Sequence, residues 1–147
     1  MAKTTRPKSL PGATFERETG CGKVYVTVNF HEGRPWELFA RLGKAGNCTA
    51  CQTEALTRAL TLALRNGATI PELVKQLTGL RCNLPHLSDG EEILSCPDAI
   101  AKVLKDLLDE NNELRPADEM VRISAVIQEI STEKQIKELS ETGKEID

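Results

Sequence analysis

An α+β domain, a small antiparallel sheet with several helices packed on one face, is the fold class that the sequence predicts. Three observations predict it. Lys23 to Phe30 places Val24, Val26 and Val28 on one side of an extended chain. Trp36 to Leu42 follows after a short turn-forming stretch. From Thr49 onward the apolar spacing changes to that of helices. The composition agrees: 147 residues suffice for one domain, and 39% hydrophobic with 28% charged residues is the balance of a globular chain.

Taken in order, residues 1–20 are rich in Lys, Arg, Thr, Gly and Pro and read as a basic flexible arm. Lys23–Phe30 and Trp36–Leu42 form a β-hairpin, and His31-Glu32-Gly33-Arg34-Pro35 between them implies a connection longer than the tightest type. Two glycines in Gly43-Lys44-Ala45-Gly46-Asn47 end the second strand. A helix over Thr49–Asn66 presents Ala55, Leu56, Ala59, Leu60, Ala63 and Leu64, with Gly67 at its C-terminal cap. Pro71 opens a shorter helix to Leu77, closed by Gly79, and residues 79–95 read as a loop.

The next helix starts sharply. Ser95 suits the N-cap, Pro97 and Asp98 suit the first turn, and Ile100, Val103, Leu104, Leu107 and Leu108 supply the buried face. Asn111-Asn112 and Pro116 interrupt it. Met120, Ile123, Val126, Ile127 and Ile130 then outline an amphipathic helix, with a frayed or second helix reaching about Ser140. Residues 1–96 carry a net +3 and residues 97–147 a net −6, so a cysteine-bearing body precedes an acidic helical extension over 109–147. The apolar stripes of 97–130 suit either the chain's own sheet or a homodimer interface.

Composition also excludes function classes. Aromatic residues at 3% leave little to stack single-stranded bases, and a net charge of −3 gives no general attraction to phosphate. A basic arm with Lys3, Arg6 and Lys8 leaves a nucleotide or nucleic-acid adaptor as the weakest reading. No apolar run approaches the roughly 20 residues that span a bilayer, and residues 1–20 lack the apolar core of a secretory signal; a cytoplasmic location is expected. No phosphate loop of the GxxxxGKS type, GxGxxG or nucleophile elbow is present; the glycines around Lys44 could approach an anion, but a tight turn is their plainer use.

The five cysteines, Cys21, Cys48, Cys51, Cys82 and Cys96, are the chemical content. An odd number without a secretory signal does not read as a disulfide framework. Cys48-Thr49-Ala50-Cys51 is a CxxC at a helix start, where free backbone N–H groups stabilise a thiolate; the same spacing lets two sulfurs reach one zinc ion. The thioredoxin-like strand before a βαβ unit is missing. Cys82 and Cys96 bracket one loop and, with Cys21 just before a strand, could complete a tetrahedral thiolate set with Cys48 or Cys51. On spacing alone, a metal site and buried free thiols carry equal weight. His31 and His86 read as turn and loop residues, with His86 a substitute ligand at most.

Four stretches stand in order along the chain: Cys21-Gly22-Lys23-Val24-Tyr25-Val26-Thr27-Val28-Asn29, Gly43-Lys44-Ala45-Gly46-Asn47-Cys48, Gly79-Leu80-Arg81-Cys82 and Ser95-Cys96-Pro97-Asp98. Together they resemble the TSCPD domain, found at the C-terminal end of adenosylcobalamin-dependent (class II) ribonucleotide reductases and in small free-standing proteins. The resemblance spans about residues 6–108 and places the domain itself at 21–108. It implies a shared set of Cys21, Cys48, Cys82 and Cys96 as ligands of a structural zinc, with Cys51 the odd thiol. It also implies that catalysis and adenosylcobalamin belong to a large barrel on a partner reductase chain, which 147 residues cannot hold. Starting at Met1 and extending past residue 108, the chain is expected to be free-standing. The functions implied are an accessory or interaction module of the reductase, or a thiol–disulfide relay to it through Cys48 and Cys51.

Overall fold

The computed structural model describes residues 5–43 and 48–142. Strands β1 (Gly12–Thr19), β2 (Gly22–His31) and β3 (Arg34–Leu42) form an antiparallel sheet in the order β1-β2-β3. Helices α1 (Cys48–Arg65) and α2 (Ile70–Leu77) follow, then a two-stranded hairpin of β4 (His86–Ser88) and β5 (Glu91–Ile93). Helices α3 (Cys96–Asp106) and α4 (Ala117–Thr142) complete the chain. The fold is α+β, as expected.

One face of the sheet is apolar because strand residues alternate sides. Phe15 of β1, Val24, Val26, Val28 and Phe30 of β2, and Leu38 of β3 are buried there. Helix α3 contributes Ile100, Val103, Leu104 and Leu107, all fully buried, and α2 contributes Ile70, Leu73 and Leu77. Each such side chain stabilises the fold by about 2 kcal/mol relative to exposure. The stripe expected on α3 is therefore spent on the chain's own core.

The arm expected over residues 1–20 is corrected for its second half. Gly12–Thr19 pairs with β2 along its whole length, from Gly12↔Asn29 to Thr19↔Gly22. Ala13, Phe15 and Thr19 point inward, so a charged segment is held by its alternate residues. The β2–β3 connection is also tighter than expected. His31 pairs with Arg34, leaving Glu32 and Gly33 alone in the turn, both at positive φ (51° and 75°), the conformation that matches strand twist.

Helix α1 buries Thr53, Thr57 and Leu60, while Ala55 and Ala59 are exposed, which corrects the face expected for it. Threonine can be buried there because its hydroxyl finds backbone partners: Thr57 donates to the Thr53 carbonyl at 3.2 Å. Thr61, half-buried, accepts from Leu38 N–H at 2.9 Å and donates to Leu38 C=O at 3.1 Å, which ties α1 to the outer strand β3. Helix α2 begins one residue before Pro71, under a capping box of Thr69 and Glu72.

The loop expected over 79–95 contains β4 and β5, joined through Asp89 and Gly90, both at positive φ. Helix α4 is continuous through Thr142, with no break near residue 130. Ile130, Ile136 and Leu139 are exposed on it, and Lys134 reaches Asp89 at 2.6 Å. The side chains of Met120, Ile123, Val126 and Ile127 lie outside those described. Among the described residues, no helix is long and apolar enough to cross a membrane.

Candidate functional site: a convergence of thiols

The β1–β2 turn, the 80–84 segment and the start of α3 meet at one end of the sheet. In the turn, Thr19 donates to Gly22 C=O at 2.7 Å and accepts from Cys21 N–H at 3.2 Å. The same hydroxyl stands 3.7 Å from the Cys96 sulfur. Gly20 lies so close to Leu84 that a Cβ there would sit 1.9 Å from the Leu84 carbonyl oxygen. Cys82 is held beside the α3 entrance by its N–H bond to Leu94 C=O at 3.0 Å.

Helix α3 is started by two side chains. Ser95 accepts from Asp98 N–H at 3.1 Å and donates to Leu80 C=O at 2.5 Å. Asp98, 1% exposed, accepts from Gly79 N–H and Leu94 N–H, each at 3.0 Å, with Lys102 at 3.5 Å. Burial by itself disfavours the charged carboxylate, but the two backbone donors and Lys102 outweigh it and hold Asp98 below its ordinary range. The Ser-Cys-Pro-Asp stretch thus ends α2, closes the hairpin and begins α3 at once.

Cys96 is buried in the first turn of α3. Burial pushes its thiol up, the Thr19 hydroxyl partly offsets that, and the neighbouring Cys21 and Cys82 push it up further. The Cys82 sulfur accepts from Leu84 N–H at 3.3 Å. Cys48 opens α1, whose next residue, Thr49, lies 3.9 Å from the Cys21 sulfur.

The fold therefore gathers Cys21, Cys82 and Cys96 and brings the α1 entrance toward them. The donor chemistry suits zinc, which prefers thiolates. Among the described residues, however, no group of three His, Cys, Asp or Glu side chains is arranged to hold a metal ion. Cys48 and Cys51 are both exposed, and Cys51 lines a cleft of about 700 Å³ with Phe39, Arg41, Glu54 and Arg58.

The histidines lie elsewhere. His86 is 3.7 Å from Glu18, and His31 leans against Trp36 with ring centroids 5.5 Å apart. Lys3 and the Lys44–Asn47 stretch lie outside the described residues. Arg6 is taken up by Glu37 at 2.7 Å, and Lys8 is exposed. Two residues escaped sequence reasoning. Thr19 had no local signal, whereas Gly20 beside Cys21 marks a close approach.

No curated protein and no solved structure matches the chain. A family model described as the TSCPD domain matches residues 2–108, from the N-terminal segment through α3 and its C-terminal cap. That match takes in every element that carries the thiols, and the chain belongs to the TSCPD domain family.

Proposed function

We propose that the protein is an interaction module of an adenosylcobalamin-dependent ribonucleotide reductase, stabilised by zinc on Cys21, Cys48, Cys82 and Cys96 and without an active site of its own. Family membership is consistent with a reductase-associated module, and the finer assignment is our reading of the thiol cluster. The observation that carries it is that Cys21 and Cys82, about 75 and 14 residues back along the chain, both neighbour the buried Cys96 thiol. Zinc bound there would keep the thiols deprotonated and tie four chain segments together. Adenosylcobalamin and the reacting nucleotide would sit on the partner reductase chain, in the cytoplasm. Since α3 spends its apolar face on the core, a homodimer through 97–130 would rest on α4 and the residues before it.

Metal analysis with thiol titration tests the zinc assignment. The expected result is stoichiometric zinc, with Cys51 reactive and the other four cysteines masked until a chelator is added. Absence of metal with all five thiols titrating freely would refute it. Co-purification with the large reductase subunit tests the partner independently.

A second reading has one observation in its favour: Cys48 and Cys51 are both exposed in the first turn of α1. In that reading they pass a disulfide to and from the reductase. Cys51→Ser is then expected to abolish thiol-dependent turnover while leaving the fold intact, and unchanged turnover would eliminate the relay.

A further inference from the structure

Far from the thiols, at the opposite end of β2, stands a carboxylate that none of this chemistry uses. Glu37 of β3 is 1% exposed and accepts hydrogen bonds at both oxygens. Arg6 donates to them in parallel, from Nε at 2.9 Å and from Nη2 at 2.7 Å. Asn29 donates from the neighbouring strand at 2.7 Å, and Arg65 from the end of α1 at 3.2 Å.

Three features show that this pocket is built. The register slips between Asn29 and Phe30, so β3 carries an extra residue opposite them, and Trp36 and Glu37 both reach Arg65. The Arg65 guanidinium is stacked 3.9 Å above the Trp36 ring, which fixes its approach. Gly12 leaves room for the Asn29 side chain, since a Cβ there would sit 2.0 Å from Asn29 Oδ1. Asn29 is thereby aimed at Glu37.

Arg6 differs from the other donors. Its side chain is 43% exposed, and it belongs to the irregular segment 5–11 that precedes β1. Among the described residues, that segment is tied to the body by hydrogen bonds at its two ends: Arg6 to Glu37, and Phe30 N–H to Pro11 C=O at 2.8 Å. When Arg6 leaves, Glu37 keeps Arg65 and Asn29, so the carboxylate is not stranded. The pocket outlasts the departure of its occupant, unlike a simple ion pair.

We propose that Glu37, Asn29 and Arg65 form a guanidinium-binding socket whose resident ligand is Arg6, which makes residues 5–11 a releasable strap. The ligand class follows from geometry. Two parallel N–H donors on one planar group match the two carboxylate oxygens, and an ammonium ion offers only a point charge. An arginine from a partner would compete for the socket on the same terms.

Lys8 supplies the readout, because it is exposed within the strap and followed by Ser9, whereas the Arg6–Pro7 bond resists trypsin. Arg6→Ala is expected to speed tryptic cleavage after Lys8 about tenfold, as befits loss of a bidentate charged pair. Arg6→Lys is expected to behave like Arg6→Ala. Millimolar ethylguanidinium should restore protection to neither, since it is not joined to the strap, but should fill the socket: it should raise the melting temperature of Arg6→Ala, while ethylammonium at equal ionic strength should not. Unchanged cleavage after Lys8 would overturn the strap, and equal stabilisation by the two cations would overturn the socket. Should Arg6→Ala fail to fold, ethylguanidinium added to the native chain must accelerate cleavage after Lys8 by displacing Arg6. Failure to do so more than ethylammonium would overturn both.

Discussion

Asp98→Ala is expected to destabilise the protein by about 3 kcal/mol, because it removes two backbone hydrogen bonds to a buried, charged carboxylate. Gly79 N–H and Leu94 N–H both end on this carboxylate, each at 3.0 Å. The loss corresponds to a fall in melting temperature of roughly 10 °C. Asp98→Asn separates charge from shape: one amide oxygen can still accept, so its loss should be smaller. The pH dependence has a definite sign. A carboxyl held below its ordinary value when folded stabilises the protein above the unfolded value of about 3.9. That contribution disappears as pH falls through the folded value. Thermal melts of the native chain should therefore show a decline below about pH 4 that Asp98→Asn lacks in part. Identical acid profiles would show that Asp98 is not held in the charged form.

Gly20→Ala is expected to separate the thiols without removing any of them. The added Cβ would meet the Leu84 carbonyl oxygen at 1.9 Å and its carbon at 2.8 Å, and backbone atoms cannot rotate away as a side chain does. Either the β1–β2 turn or the 82–84 segment must shift, at a cost of about 2 kcal/mol. Cys21 rides on the first and Cys82 on the second. The variant should therefore show faster modification of Cys82 and Cys96 by thiol reagents, with the sheet's circular dichroism retained. Thiol reactivity equal to that of the native chain would mean that the two segments do not approach as described.

The hairpin of β2 and β3 and the start of α3 were legible because each carries its own local signal: alternating valines in one, Ser95 with Pro97 and Asp98 in the other. Strand β1 was not. Its outward residues include Glu16 and Glu18, and its short inward set of Ala13, Phe15 and Thr19 reads as a strand only once β2 is beside it. Strands β4 and β5 have three residues each, too short for a period to show, although Asp89-Gly90 is a hairpin turn signal. On α1, apolarity pointed to Ala55 and Ala59, whereas the chain buries Thr53 and Thr57, the latter with its hydroxyl satisfied by the Thr53 carbonyl one turn back. Spacing could only offer Cys21, Cys82 and Cys96 as companions of Cys48 or Cys51, and the family resemblance chose Cys48. The approach of Cys21 and Cys82 to Cys96 is set by how the sheet and α3 pack, and no local pattern encodes it.

The paired bonds between Thr61 and Leu38 bear on edge-to-edge pairing of strands between molecules. An outermost strand offers unpaired amides and carbonyls to any extended chain that passes, which is how sheets are templated from one molecule to the next. At Leu38 both groups are already engaged by one hydroxyl, on a helix laid along that strand. A strand added beside β3 would have to strip α1 away before gaining its first pair of bonds there. The hydroxyl thus serves as a chemical bumper against fibril-like growth along that border, built from a single threonine.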